Sequence, residues 1–127
     1  MTAGFTPAPQ TVSKTAAADL SGYQYSAIKL DTSGKAAACT ASTDLAFGIL
    51  QNTPTTDQAA EVAPVAGGGS SYITLNETIA SAALCSISAT GRGAASTSGN
   101  YDIGTMESGG AIGELGVIRL GYLTVKA

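Results

Sequence analysis

The chain has 127 residues, with six basic and nine acidic side chains, no His and two Cys, the size of a single domain. Without His, the Ser-His-Asp, Cys-His and His-metal constellations are excluded, and six scattered basic residues do not form the clustered patch that nucleic-acid binding needs. Ala, Gly, Ser and Thr fill 68 positions against 24 for Leu, Ile, Val and Phe, so the expected core is thin, low net charge favours folding over disorder, and oligomerisation is the expected aid.

The N-terminal MTAGFTPAPQ has no basic start and no apolar run of signal-peptide length, and no segment approaches the ~20 apolar residues of a membrane span. A soluble protein made in the cytoplasm, with Cys39 and Cys85 as free buried thiols, is the expectation. Residues 1–22 show neither helical nor strand periodicity, and Pro7 and Pro9 interrupt backbone pairing. They read as an extended arm before a single β domain over 23–127.

Strand signals begin at Tyr23. YSAIKL reads as a half-buried strand, DTSG as a turn in which Gly34 takes positive φ and Asp31 is a turn former, and KAAAC as the return strand. AFGILQN follows, with Gly48 inside an apolar run, where glycine marks a bulge, a bend or a close backbone approach; we expect a bend. After the polar loop TPTTDQ comes EVAPV, which Pro64 confines to an edge or bulge position. GGGSS reads as a flexible loop and YITLN as a further strand. Across ETIASAALCS a short helix competes with a strand, because Ile79, Ala82 and Ala83 stand at helical spacing.

The turn returns. ISATGR, Ile87 to Arg92, repeats LDTSGK, Leu30 to Lys35, at an offset of 57, pairing Gly91 with Gly34 and Ile87 with Leu30. Phe47, Gly48, Leu50 and Gln51 fall on Ile103, Gly104, Met106 and Glu107 at 56, and Glu61, Val62 and Val65 fall on Glu114, Leu115 and Ile118 at 53. Two units emerge, about 26–65 and 83–120. About eight short strands in two copies predict an all-β domain, a small β-barrel or β-sandwich of β-tulip-like form, with Gly104 bending as Gly48 does.

No catalytic residue, cofactor-binding residue or metal ligand stands out. The carboxylates lie in predicted loops and strand starts, where solvated surface charge is the ordinary role. DTSG resembles the active-site loop of aspartic proteases, but that dyad needs two copies, and Ser88 stands where Asp31 would recur. Gly67 to Gly69 lacks the Lys-Ser/Thr and helix start of a phosphate loop.

LDTSGK at 30–35, TDLAFGIL at 43–50 and AAEV at 59–62 resemble the capsid decoration protein of phage lambda and related cement proteins of tailed phages. IGTMESGGAIGELGVIRL is similar to the repeat-containing members of that group. The resemblance implies a homotrimer on the outside of the mature head, binding the major capsid protein through an N-terminal arm, without cofactor, nucleic acid or membrane. In this chain Phe5, Pro7, Pro9 and Val12 would be the capsid-binding residues of the arm. A fibre or tail component, or a small ligand-binding barrel, is the competing expectation.

Overall fold

The fold, obtained as a computed structural model that describes residues 9–121, is all-β, with ten short strands in two five-stranded antiparallel sheets. Alternating side chains in short runs, broken by residues that tolerate left-handed backbone, produce this pattern. The sheets stack as a small β-sandwich and form no closed barrel.

The first sheet contains β1 (Val12–Thr15), β2 (Ala27–Leu30), β3 (Ala36–Ala38), β4 (Gly48–Leu50) and β5 (Ala59–Pro64), in the spatial order β1-β5-β4-β2-β3. The second contains β6 (Ser70–Thr74), β7 (Leu84–Ile87), β8 (Gly93–Ala95), β9 (Gly104–Ser108) and β10 (Leu115–Leu120), in the order β6-β10-β9-β7-β8. Adding five to each strand number of the first sheet gives the second. The duplication therefore spans whole sheets, and it extends to details. Parallel bridges join Ala16 to Ala36 and Leu75 to Gly93. Left-handed backbone recurs at Tyr25 and Ala82 (φ 62° and 70°), whose amides donate to Leu50 O and Met106 O, both at 2.7 Å.

The hydrogen-bond ladders correct three sequence expectations. Residues 12–20 are not arm: Val12 to Thr15 pair with Val62 to Ala59, and Ala16 and Leu20 are buried. VSKT gives no strand signal in the sequence because three of its four side chains are exposed, so it carries no hydrophobic alternation. The second correction concerns Pro64, which lies in an interior strand; it is the last residue of β5, beyond the β1 pairing that ends at Val62, where its missing N–H is not needed. Third, the last matched strand sits at offset 56, not 53. Leu50 faces Val62 as Met106 faces Ile118, and the Gln58 side chain accepts from Thr55 N as Glu114 accepts from Ala111 N (2.8 and 2.7 Å). A Glu-apolar match was a weaker guide than the ladder. The segment 78–83 is turn and bridge leading into β7, and no α-helix occurs among the described residues.

Strand alternation gives each sheet two faces. In the first, Ile28, Leu50 and Val62 share face a, and Ala27, Ile49 and Ala63 share face b. In the second, Cys85, Met106 and Ile118 stand on face a, and Leu84, Thr105 and Arg119 on face b. The main core joins face b of the first sheet (Ala27, Ile49, Ala63, with Cys39, Ala46 and Val65) to face a of the second (Ile73, Cys85, Ile87, Met106, Ile118, Leu120). Packing is thus head-to-tail. Face a of the first sheet forms a second cluster with Ala16 and Leu20, against which Tyr23, Ala38 and Phe47 pack.

Candidate functional site

Each repeated turn is built from its own backbone. Asp31 N donates to Lys35 O and Gly34 N to Asp31 O, both at 2.9 Å; Ser88 N donates to Arg92 O at 2.8 Å and Gly91 N to Ser88 O at 3.0 Å. Gly34 and Gly91 take φ of 78° and 82°, the left-handed conformation that glycine adopts without steric cost. Asp31 Oδ1 accepts from the amides of Ser33 and Lys35 at 2.9 Å each, and Ser88 Oγ accepts from Thr90 N at 3.3 Å. Asp31 is committed to the turn. The two turns differ in surroundings: a Cβ at Gly34 meets open space, whereas one at Gly91 would run into the Ala27 carbonyl of the first unit, whose amide donates to Gly91 O at 2.7 Å.

Gly48 and Gly104 mark close approach. A Cβ there would collide with the carbonyl oxygens of Ala63 and Arg119 on the facing strands. Neither has positive φ, so the neighbouring strand, not a turn of the backbone, excludes a side chain.

Of the residues expected to touch a partner, Phe5 and Pro7 lie outside the described residues. Pro9 is half-buried, and Val12, 39% exposed, opens β1. β1 is an edge strand, bonded to β5 alone within its sheet. Its Ser13 hydroxyl donates to the Glu61 carboxylate, and Lys14 Nζ stands 5.5 Å from the centre of the Phe47 ring, a cation–π distance. Beside Phe47, a 380 Å³ cleft is lined by Lys29, Leu30, Leu45 and Phe47; Leu45 is 53% exposed. Sequence reasoning missed Lys14 and Leu45, because 33 positions separate Lys14 from the ring it covers and Leu45 lies in a loop.

A second cleft of 460 Å³ lies between the units, lined by Tyr23 and Ser26 from the first and Asn76, Thr90 and Arg92 from the second. Two further acids, Asp44 and Glu107, have structural work. Asp44 accepts from Thr40 N (2.9 Å) and Ala41 N (3.1 Å) and pairs with Lys29 at 3.3 Å; the amide bonds, led by that from Thr40, hold its carboxyl below the ordinary carboxylate value. Glu107 pairs with Arg119 at 2.8 Å and accepts from Ser70 Oγ at 2.7 Å. Cys39 and Cys85 are free and buried, and burial pushes their thiols up to about 11 and about 12. No group of three or more His, Cys, Asp or Glu side chains converges among the described residues, nor is any helix among them long and apolar enough to cross a membrane.

No protein-family model matches the chain, and no curated protein matches it.

Proposed function

We propose that the protein is a phage capsid cement protein, which binds the outside of the mature head and ties major capsid subunits together. The observation that carries this reading is the placement of β1: the segment holding Phe5, Pro7 and Pro9 leads into an exposed edge strand on a duplicated, internally cross-bonded sandwich. An edge strand offers unpaired backbone groups to which a partner strand can add, while prolines limit how far such pairing spreads and reduce the entropy lost on ordering. The residues resembling lambda-type decoration proteins, 30–62, run from the end of β2 through the turn and β3 into β4 and β5, so the resemblance covers a contiguous piece of one unit. Trimers engaging several shell sites hold by avidity, so each contact can be weak.

The test is sedimentation of the purified protein with expanded empty heads of its phage. Co-sedimentation at a fixed number of copies per shell is the expected result; no binding to expanded heads overturns the reading. Deleting residues 2–8 leaves β1 intact and is expected to weaken head binding with little change in the melting temperature.

A further inference from the structure

The duplicated unit supplies its own example of an occupied docking face. On face a of the second sheet, Ile73, Ile87 and Leu120, with Ile103 just before β9, are at most 5% exposed and belong to the core shared with the small residues Ala27, Ala46 and Ala63 of the first unit. Their counterparts in the first unit, by register, are Lys14, Leu30, Phe47 and Pro64. All four of these are only partly buried, and Val12 and Leu45 beside them are exposed. One half of face a is closed by Ala16 and Leu20. The other half has no sheet over it among the described residues.

The substitutions at the open half indicate the kind of surface that fits. Most of its positions stay apolar. The exception is Lys14 in place of Ile73, a cation that has no carboxylate partner among the described residues. A second copy of this chain is a poor occupant, because its free face b carries Leu84 and Arg119 where the docked face b carries Ala27 and Ala63. That exchange sets a bulky side chain and the Arg119–Glu107 ion pair where the docked face has small apolar residues, so the two surfaces cannot approach as closely.

We propose that the open half of face a, centred on Lys14, Phe47 and Leu45, seats a β-sheet surface of the major capsid subunit made of small apolar residues, with a carboxylate set against Lys14. The proposal rests on the cement reading and adds to it a second contact, separate from residues 2–8. A flat apolar surface with one desolvated charge pair at its centre gives both affinity and register.

Binding to expanded empty heads is measured for the full chain and for Lys14→Glu, Leu45→Asp and Leu84→Asp, with melting temperatures confirming that each is folded. Lys14 and Leu45 are solvent-accessible, so both replacements are compatible with the fold. Lys14→Glu and Leu45→Asp are each expected to weaken head binding by about tenfold or more, while Leu84→Asp, on face b of the second sheet, binds as the wild type does. Lys14→Met, which keeps the apolar stem and removes the charge, is expected to flatten the salt dependence of binding. If the wild type binds and both Lys14→Glu and Leu45→Asp bind equally well, the docking face is wrong and the cement reading stands. If the wild type does not bind, both fall.

Discussion

The two units share strand order, bridges and turns, yet their sheets are buried differently. The first sheet has an apolar cluster on each face, its own over half of face a and the one shared with the second unit on face b. The second sheet contributes face a to the shared apolar core, and its face b carries Arg119 and the exposed Leu84 beside buried Ser86 and Val117. The contrast shows that a head-to-tail pair of identical folds needs two unlike sequences. Small residues such as Ala27 and Ala63 let the sheets approach, and at the free end Arg119, paired with Glu107, takes the place of Ala63. A charged residue there discourages further stacking.

The strongest way to break the comparison is to add one methyl group to each repeated turn. At Gly91, Ala must adopt left-handed backbone and displace the Ala27 carbonyl across the seam, so Gly91→Ala is expected to cost about 3 kcal/mol or more. At Gly34 the space is open, and Gly34→Ala is expected to cost about 1–2 kcal/mol, the left-handed penalty alone. Equal losses in urea unfolding would show that the seam between units is not rigid. Truncating the shared core comes close behind. Ile49→Ala is expected to lose about 2–5 kcal/mol in a single cooperative transition, because Ile49 belongs to a cluster drawn from both sheets; two separated transitions would show that the units fold independently.

Smaller effects test the turn acids. Asp31 accepts two amide bonds where Ser88 accepts one longer one, so Asp31→Ala is expected to cost about 1 kcal/mol and Ser88→Ala about half of that. The loops before β4 and β9 differ similarly: Asp44 N donates to Ala41 O as Asn100 N donates to Thr97 O, both at 3.1 Å, but only the first has a carboxylate at that position. Because that carboxyl is held below its ordinary 3.8, its contribution is present above that value and is lost as pH falls through the folded-state value. Asp44→Asn is expected to flatten the acid limb of the stability profile, read from melting temperatures between neutral and acid pH.

The thiols give the mildest contrast. With ordinary values of 9.0 raised to about 11 at Cys39 and about 12 at Cys85, the unfolded chain releases thiol protons that the folded one keeps. Their contribution is full below pH 9.0 and fades as pH rises through the folded-state values. Neither thiol is expected to react with a maleimide at neutral pH until the chain unfolds; labelling of the native protein at the free-thiol rate would refute that burial.

Local chemistry made part of this structure legible in the sequence. LDTSGK and ISATGR carry the turn residues their backbones require, and AIKL and LCSI alternate around them, so two hairpins at an offset of 57 could be read directly. VSKT could not, because an edge strand exposed on most of its side chains has no hydrophobic period. The offset of the last strand is not legible either: in a chain rich in Ala and Gly many alignments look alike, and only the Leu50–Val62 and Met106–Ile118 pairings select one.

Composition and turn chemistry were thus enough to determine an all-β chain with two related halves, since φ preferences and strand periodicity act over a few residues. Which face of one half meets which face of the other was decided only in three dimensions. Ala27 and Leu84, Ala63 and Arg119, or Lys14 and Ile73 are unremarkable differences along the chain; they acquire meaning when the sheets stack, because burial is a property of what lies opposite, and not of the residue itself.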